Sequence, residues 1–156
     1  MDLWGKNRGS YWVKIMENIL EIDIERASDT FFLFKQLHKG LTEEMFEERI
    51  GQIYEDGYRL FGLVSEDGRI VSIAGVNILT NFSNGKFVYV YDLITDEDNR
   101  GKGFGKLLLE FVHMWAMEEG CEKMSLIVGT ESGKSGEFYV NKMEYELKGY
   151  CYKKIL

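Results

Sequence analysis

Apolar positions along the chain recur with two periods, and the order in which the periods switch predicts the elements. "ILEIDIERA" (19–27) alternates apolar and polar residues and predicts a strand. From Ser28 the spacing lengthens: "SDTFFLFKQLHKG" reads as a helix, capped by Ser28 or Asp29 and stopped at Gly40. A second helix opens at Thr42, with Glu43 and Glu44 in its first turn; its stripe is Phe46, Ile50, Ile53 and Tyr54, and Gly57 ends it. "YRLFGLVSE" and "RIVSIAGVNIL" flank Asp67-Gly68, and "KFVYVYDLIT" follows Asn84-Gly85. Both dipeptides are hairpin signals, so these segments predict an antiparallel meander. A long helix follows, with Phe104, Leu107, Leu108, Phe111 and Trp115 on its apolar face and Gly120 as its stop. "EKMSLIV" reads as a strand, "SGEFYVNKM" as a short helix and "YELKGYCYKKI" as a final strand. The strands before and after the long helix are joined by a crossover and should be parallel. The expected fold class is α/β in the mixed α+β sense: a central mixed, mostly antiparallel sheet with helices on both faces.

Composition narrows the function classes. The chain has 156 residues, the size of one domain over 1–156, with residues 1–18 as an arm or short lead-in element. Net charge is −7, which argues against nucleic acid as a partner, since phosphate neutralisation needs surplus Lys and Arg. An acidic cleft would instead concentrate a cationic small substrate, although solubility alone accounts for a mild acidic surplus. Cys121 and Cys151 lie far apart and make no metal or redox spacing. With no secretory leader visible, the expected setting is cytoplasmic and reduced. No apolar stretch approaches the ~18 residues that span a membrane.

The chemistry concentrates in "DNRGKGFGKLLLE" (98–110), which places three glycines and three cations between Arg100 and Lys106. A P-loop would need Gly at 100 and Ser or Thr at 107, where this chain has Arg100 and Leu107. A dinucleotide fingerprint would need Gly at 106, which is Lys106. The pattern that fits is Arg-x-x-Gly-x-Gly over Arg100, Gly103 and Gly105, after a strand and at the start of a helix. Unpaired amides and the helix dipole favour an anion there, and glycine lets the backbone approach it. The plainer reading is a glycine-rich turn that only joins strand to helix.

In this context the chain resembles the GNAT superfamily of acetyl-CoA-dependent N-acyltransferases. Its Gln/Arg-x-x-Gly-x-Gly/Ala signature matches Arg100–Gly105, and a helix carrying Tyr139 in "EFYVNKMEYEL" matches a second landmark. The element order matches from about Ile19 to Leu156. Glu144 stands before Tyr145 where the family usually has Gly, and Ser132 stands where many relatives carry Asn. The resemblance implies a splayed parallel strand pair ending near Thr95 and Val128. Acetyl-CoA would lie in the gap, with its pantetheine arm along Leu93, Ile94 and Thr95. Its pyrophosphate would sit on Arg100, Gly101, Lys102, Gly103, Phe104, Gly105 and Lys106, with Ser132 as a further contact. A small-molecule or protein amine would attack the thioester directly, and a homodimer is compatible. Tyr139 is the implied general acid, against a plain packing role as a core aromatic. Asp92, among the apolar neighbours of "VYVYDLIT", is a candidate base or a buried carboxylate satisfying local groups, since apolar surroundings raise a carboxyl group's proton affinity. His113 reads as a helix residue between core positions, and His38 borders the acceptor cleft in this family. A non-catalytic acyl-CoA-binding or sensing module of the same fold is the rival function.

Overall fold

The computed structural model describes residues 17–130 and 133–156, so the lead-in expected over 1–18 lies almost wholly outside it. Strand β1 is Ile19–Ile22 and stops earlier than its alternation predicts. The carboxylate and the carbonyl of Asp23 both accept from the Arg26 N–H, and Ile24–Thr30 winds into a 3₁₀ helix. A short polar side chain bonding its own backbone thus overrides the apolar alternation. Helix α1, Phe31–Leu37, continues from that turn, so its cap is Thr30 and not Ser28 or Asp29. The Thr30 hydroxyl donates to the Ala27 carbonyl at 2.6 Å. Helix α2, Glu43–Glu55, follows the sequence closely: Thr42 Oγ1 accepts from the Met45 N–H at 3.2 Å, and Gly57 leaves it at φ +95°.

Strands β2 (Arg59–Val64), β3 (Ile70–Asn81) and β4 (Gly85–Thr95) form the expected antiparallel meander, with β1 antiparallel beside β2. Helix α3, Phe104–Glu118, then crosses to β5, Lys123–Leu126, giving the sheet order β1-β2-β3-β4-β5 with β4 and β5 parallel. The parallel pair starts where the Glu122 N–H donates to the Lys86 carbonyl at 2.9 Å. The mixed, mostly antiparallel sheet is therefore the one expected.

Alternation within β2 shows the two faces. Leu60 joins Ile22, Leu33, Phe34, Phe46 and Ile73 in the core beneath α1 and α2. Phe61 points the other way and meets Phe111 and Trp115 of α3 edge-on, with centroids 5.4 and 5.0 Å apart. Leu108, Leu109 and Val112 of α3 are fully buried. Each face of the sheet is thus covered by helix. No helix among the described residues is long and apolar enough to cross a membrane.

The chain divides between Ser125 and Leu126 into two compact units. The second carries α4, Gly133–Glu137, which runs into a π-helical turn, Phe138–Lys142. The Tyr145 N–H donates back to the Tyr139 carbonyl at 2.9 Å, and Glu144, at φ +60°, turns the chain out of the helix. The final strand expected over "YELKGYCYKKI" is absent: residues 144–156 belong to no helix or strand. Leu147, Tyr150, Tyr152 and Ile155 are exposed. A strand needs a bonded neighbour as well as propensity, and Gly149 and the Lys153–Lys154 pair interrupt the alternation.

Candidate functional site

The site is built around the end of β4. Across β3 and β4, Ile73 faces Ile94, Gly75 faces Asp92, Val76 faces Val90 and Asn77 faces Tyr89. Tyr91 has no partner in this register, so it is the extra residue of a β-bulge. Strict alternation would set Asp92 on the same side as Val88 and Val90. The bulge reverses the phase, and Asp92 emerges with Ile94 on the side of α1 and α2, where Ile94 packs against the core.

Asp92 there meets two side chains from distant elements. The Tyr58 hydroxyl donates to Oδ2 at 2.7 Å, and His38 Nε2 lies 2.7 Å from Oδ1. Asp92 is 9% exposed and Tyr58 5%, whereas the His38 side chain is 51% exposed. Gly75 makes this arrangement sterically feasible: a Cβ on it would lie 1.5 Å from the Tyr58 hydroxyl. Burial first, and the adjacent Asp92 carboxylate second, push the Tyr58 phenol well above its ordinary pKa. The hydrogen bond to Asp92 raises His38 above 6.5, against the opposing effect of burial.

The segment ending α1 also reaches the next loop. Gln36 Nε2 donates to Asp96 Oδ1 at 2.9 Å, and Gln36 Oε1 accepts from the Glu97 N–H at 3.0 Å. Asp96 accepts further from Asn99 Nδ2 at 3.0 Å; these bonds, that of Gln36 foremost, hold its carboxyl below the usual carboxylate range. Arg100 Nε donates to the Thr95 carbonyl at 3.0 Å, and Lys102 Nζ to Asn99 Oδ1 at 3.2 Å. Thr95 Oγ1 lies 2.9 Å from Ser72 Oγ. The loop between β4 and α3 is thus tied down before the glycines begin.

Gly101 and Gly103 stand at φ +78° and +82°, and a Cβ on either would meet nothing within 4 Å. Gly103 is the N-cap of α3, with no side-chain cap. Leu107 is the first amide of the helical ladder, bonded to the Gly103 carbonyl at 3.0 Å. Phe104, Gly105 and Lys106 therefore present the unpaired amides of a helix start, with the cations of Arg100, Lys102 and Lys106 nearby in sequence. Leu93 and Thr95 share the end of β4. That strand runs on to Thr95, whereas β5 starts opposite Lys86 and is only four residues long.

The structure thus joins Asp92, Leu93, Ile94, Thr95 and the residues from Arg100 to Lys106 on one strand, loop and helix start. Tyr139 belongs to the second unit, where its ring contacts Phe138 and Tyr145 at 5.2 and 5.6 Å. Burial pushes its phenol up to about 12. Ser132 lies outside the described residues. His113 lies on α3, on the opposite face of the sheet from the Asp92 cluster, and burial lowers its pKa. Sequence reading passed over Tyr58, which looked like the first residue of a strand. Its one signal was Gly75, because an isolated glycine inside a strand marks a bulge or a close approach.

A model described as the Acetyltransferase (GNAT) family matches residues 20–145. The chain is 27% identical over 131 residues to the uncharacterized N-acetyltransferase YhdJ of Bacillus subtilis (strain 168), over 83% of this chain and 92% of that protein. It is 30% identical over 121 residues to glucosamine 6-phosphate N-acetyltransferase of Arabidopsis thaliana, over 74% of this chain and 75% of that protein. Its fold superposes with a TM-score of 0.73 on AAC(6')-Iy in complex with the bisubstrate analogue CoA-S-monomethyl-acetylneamine, at 20% identity, over 88% of this chain and 97% of that one.

Proposed function

We propose that this chain, which belongs to the GNAT acetyltransferase family, transfers acetyl from acetyl-CoA to a primary amine by direct attack, without a covalent enzyme intermediate. The observation that carries this reading is the juxtaposition at the end of β4. An uncapped, glycine-started helix follows the strand, and a buried carboxylate cluster stands on the strand itself. Open space above Gly101 and Gly103 and the unpaired amides that follow suit a bulky anion such as a pyrophosphate. Arg100 to Lys106 would hold that group. The backbone of Leu93, Ile94 and Thr95 would take the pantetheine arm as an added strand. When bound, acetyl-CoA supplies the activated acyl thioester.

The chain's own residues then handle protons and charge. An alkylammonium has a pKa of about 10.4 and must lose a proton before it can attack. We assign that removal to the Asp92 cluster. A backbone N–H of β4 would polarise the acyl carbonyl, as an oxyanion donor does. Tyr139 would reprotonate the leaving thiolate. Its phenol, at about 12, stays protonated at any working pH. Proton transfer from a phenol held that high to a thiolate whose parent thiol is near 8.5 is uphill, less so where the thiolate is desolvated too.

The test is a panel of amines (polyamine, amino sugar, amino acid derivative and protein amine) incubated with acetyl-CoA while released thiol is followed. Amine-dependent thiol release is expected. Tight CoA binding with no release on any amine would overturn catalysis in favour of a binding module.

A further inference from the structure

Both oxygens of Asp92 are engaged, one by Tyr58 and one by His38, and the carboxylate is buried. Of the three groups, His38 alone has a half-exposed side chain. We propose that His38 is the group that takes the proton from the acceptor ammonium, with Asp92 and Tyr58 as positioning residues behind it. This rests on the acetyltransferase reading above and names the base within it.

The geometry supports the assignment in three ways. First, the 2.7 Å bond from Asp92 fixes the ring through Nε2. With Nε2–H donating to Asp92, the lone pair of the neutral imidazole lies on Nδ1. Second, the far oxygen of Asp92 is held by Tyr58, whose phenol fits the space left by Gly75, so the carboxylate cannot rotate away. Third, His38 follows Gln36 by two residues, and Gln36 clamps Asp96 and Glu97. One chain segment therefore sets the position of the ring relative to the loop that leads to Arg100.

The step balances within these groups. An N–H bond of the ammonium breaks, its electron pair stays on nitrogen, and the proton passes to His38 Nδ1. The amine's lone pair then forms the C–N bond as the C–S pair leaves with sulfur, which takes its proton from Tyr139; the acylated nitrogen sheds its second proton, and the Tyr139 phenolate takes one back. The imidazolium is held by Asp92 and, being half-exposed, returns its proton to solvent. The charged group facing the ring is Asp92 on β4; Tyr58, just before β2, reaches it through Asp92, and Lys39 adjoins it along the chain. The bond to Asp92 raises the His38 pKa, so activity is lost as falling pH protonates the ring.

The experiment compares wild type, His38→Gln and Asp92→Asn by the pH dependence of kcat/KM and by NMR titration of the imidazoles. His38→Gln also assigns the His38 resonance, because His113 is the other histidine in the chain. In wild type, the acidic limb of the rate should coincide with a His38 titration above 6.5. Asp92→Asn should move both downward together. His38→Gln should remove the limb and lower kcat/KM by about 100-fold, the low end for general base loss, with CoA affinity unchanged. An acidic limb that persists in His38→Gln, or a rate within threefold of wild type, overturns the assignment and leaves the acetyltransferase reading standing. Wild type that releases no thiol with any amine overturns both.

Discussion

Replacing Gly75 by alanine is expected to dismantle the Asp92 cluster from its buried side. The new Cβ would lie 1.5 Å from the Tyr58 hydroxyl, 2.2 Å from Cζ and 2.8 Å from Cε2, where ordinary contact begins near 3.4 Å. The ring must therefore shift by roughly 2 Å, which breaks its 2.7 Å bond to Asp92. A hydrogen bond to a charged group contributes about 1.5–3 kcal/mol, and overpacking costs about 1–3 kcal/mol more. Reduced freedom of the unfolded chain offsets about 0.4–1 kcal/mol of this. The expected loss is about 2–5 kcal/mol, read from urea unfolding, and at ~2–4 °C per kcal/mol a clear fall in Tm. Tyr58→Phe should lose only the hydrogen-bond part. The double variant should lose less than the two single losses added together, because the same bond cannot be lost twice. Stability of Gly75→Ala within about 0.5 kcal/mol of wild type would refute the reasoning, since that is the range of substitutions that meet nothing.

The remaining expectations follow from separate parts of the site. Gly103→Val puts a β-branched side chain at φ +82° in the cradle; it should cost about 1–2 kcal/mol of stability and lower CoA affinity at least about tenfold in calorimetry. Unchanged affinity would remove the cradle assignment. Tyr139→Phe should lower kcat by about 100-fold or more with little change in CoA affinity, and turnover equal to wild type would favour a binding module. Burial raises the phenols of Tyr54 and Tyr139 to about 12 from 10, so the folded state holds those protons more tightly. Their contribution to stability is complete below pH 10 and is lost as pH rises towards 12. Unfolding free energy should fall across that window, and Tyr54→Phe should make the fall shallower. A flat profile would mean these phenols exchange with solvent.

Most of the scaffold was legible in the chain because its signals are local. The cap at Thr42, the turn glycines Gly57 and Gly68 and the apolar stripe of α3 act within a few residues, and each appears where its chemistry requires. The glycine-rich start of α3 was legible for the same reason, since Arg100 to Lys106 are contiguous. Two local readings yielded to other interactions. Asp23 bonding the Arg26 amide ended β1 early, and residues 145–155, despite strand-forming side chains, join no strand.

The sequence by itself determined the order of elements as far as α4, the mixed sheet, the anion-suited helix start and the presence of a lone carboxylate on β4. Only the tertiary structure decided which way that carboxylate points and what it touches. A single unpaired residue, Tyr91, reverses the phase of β4, and period-2 alternation read along the chain cannot register such an insertion. His38 and Tyr58 then reach Asp92 across 54 and 34 residues. Contacts that distant are set by strand register and helix packing, which no local pattern of residues encodes.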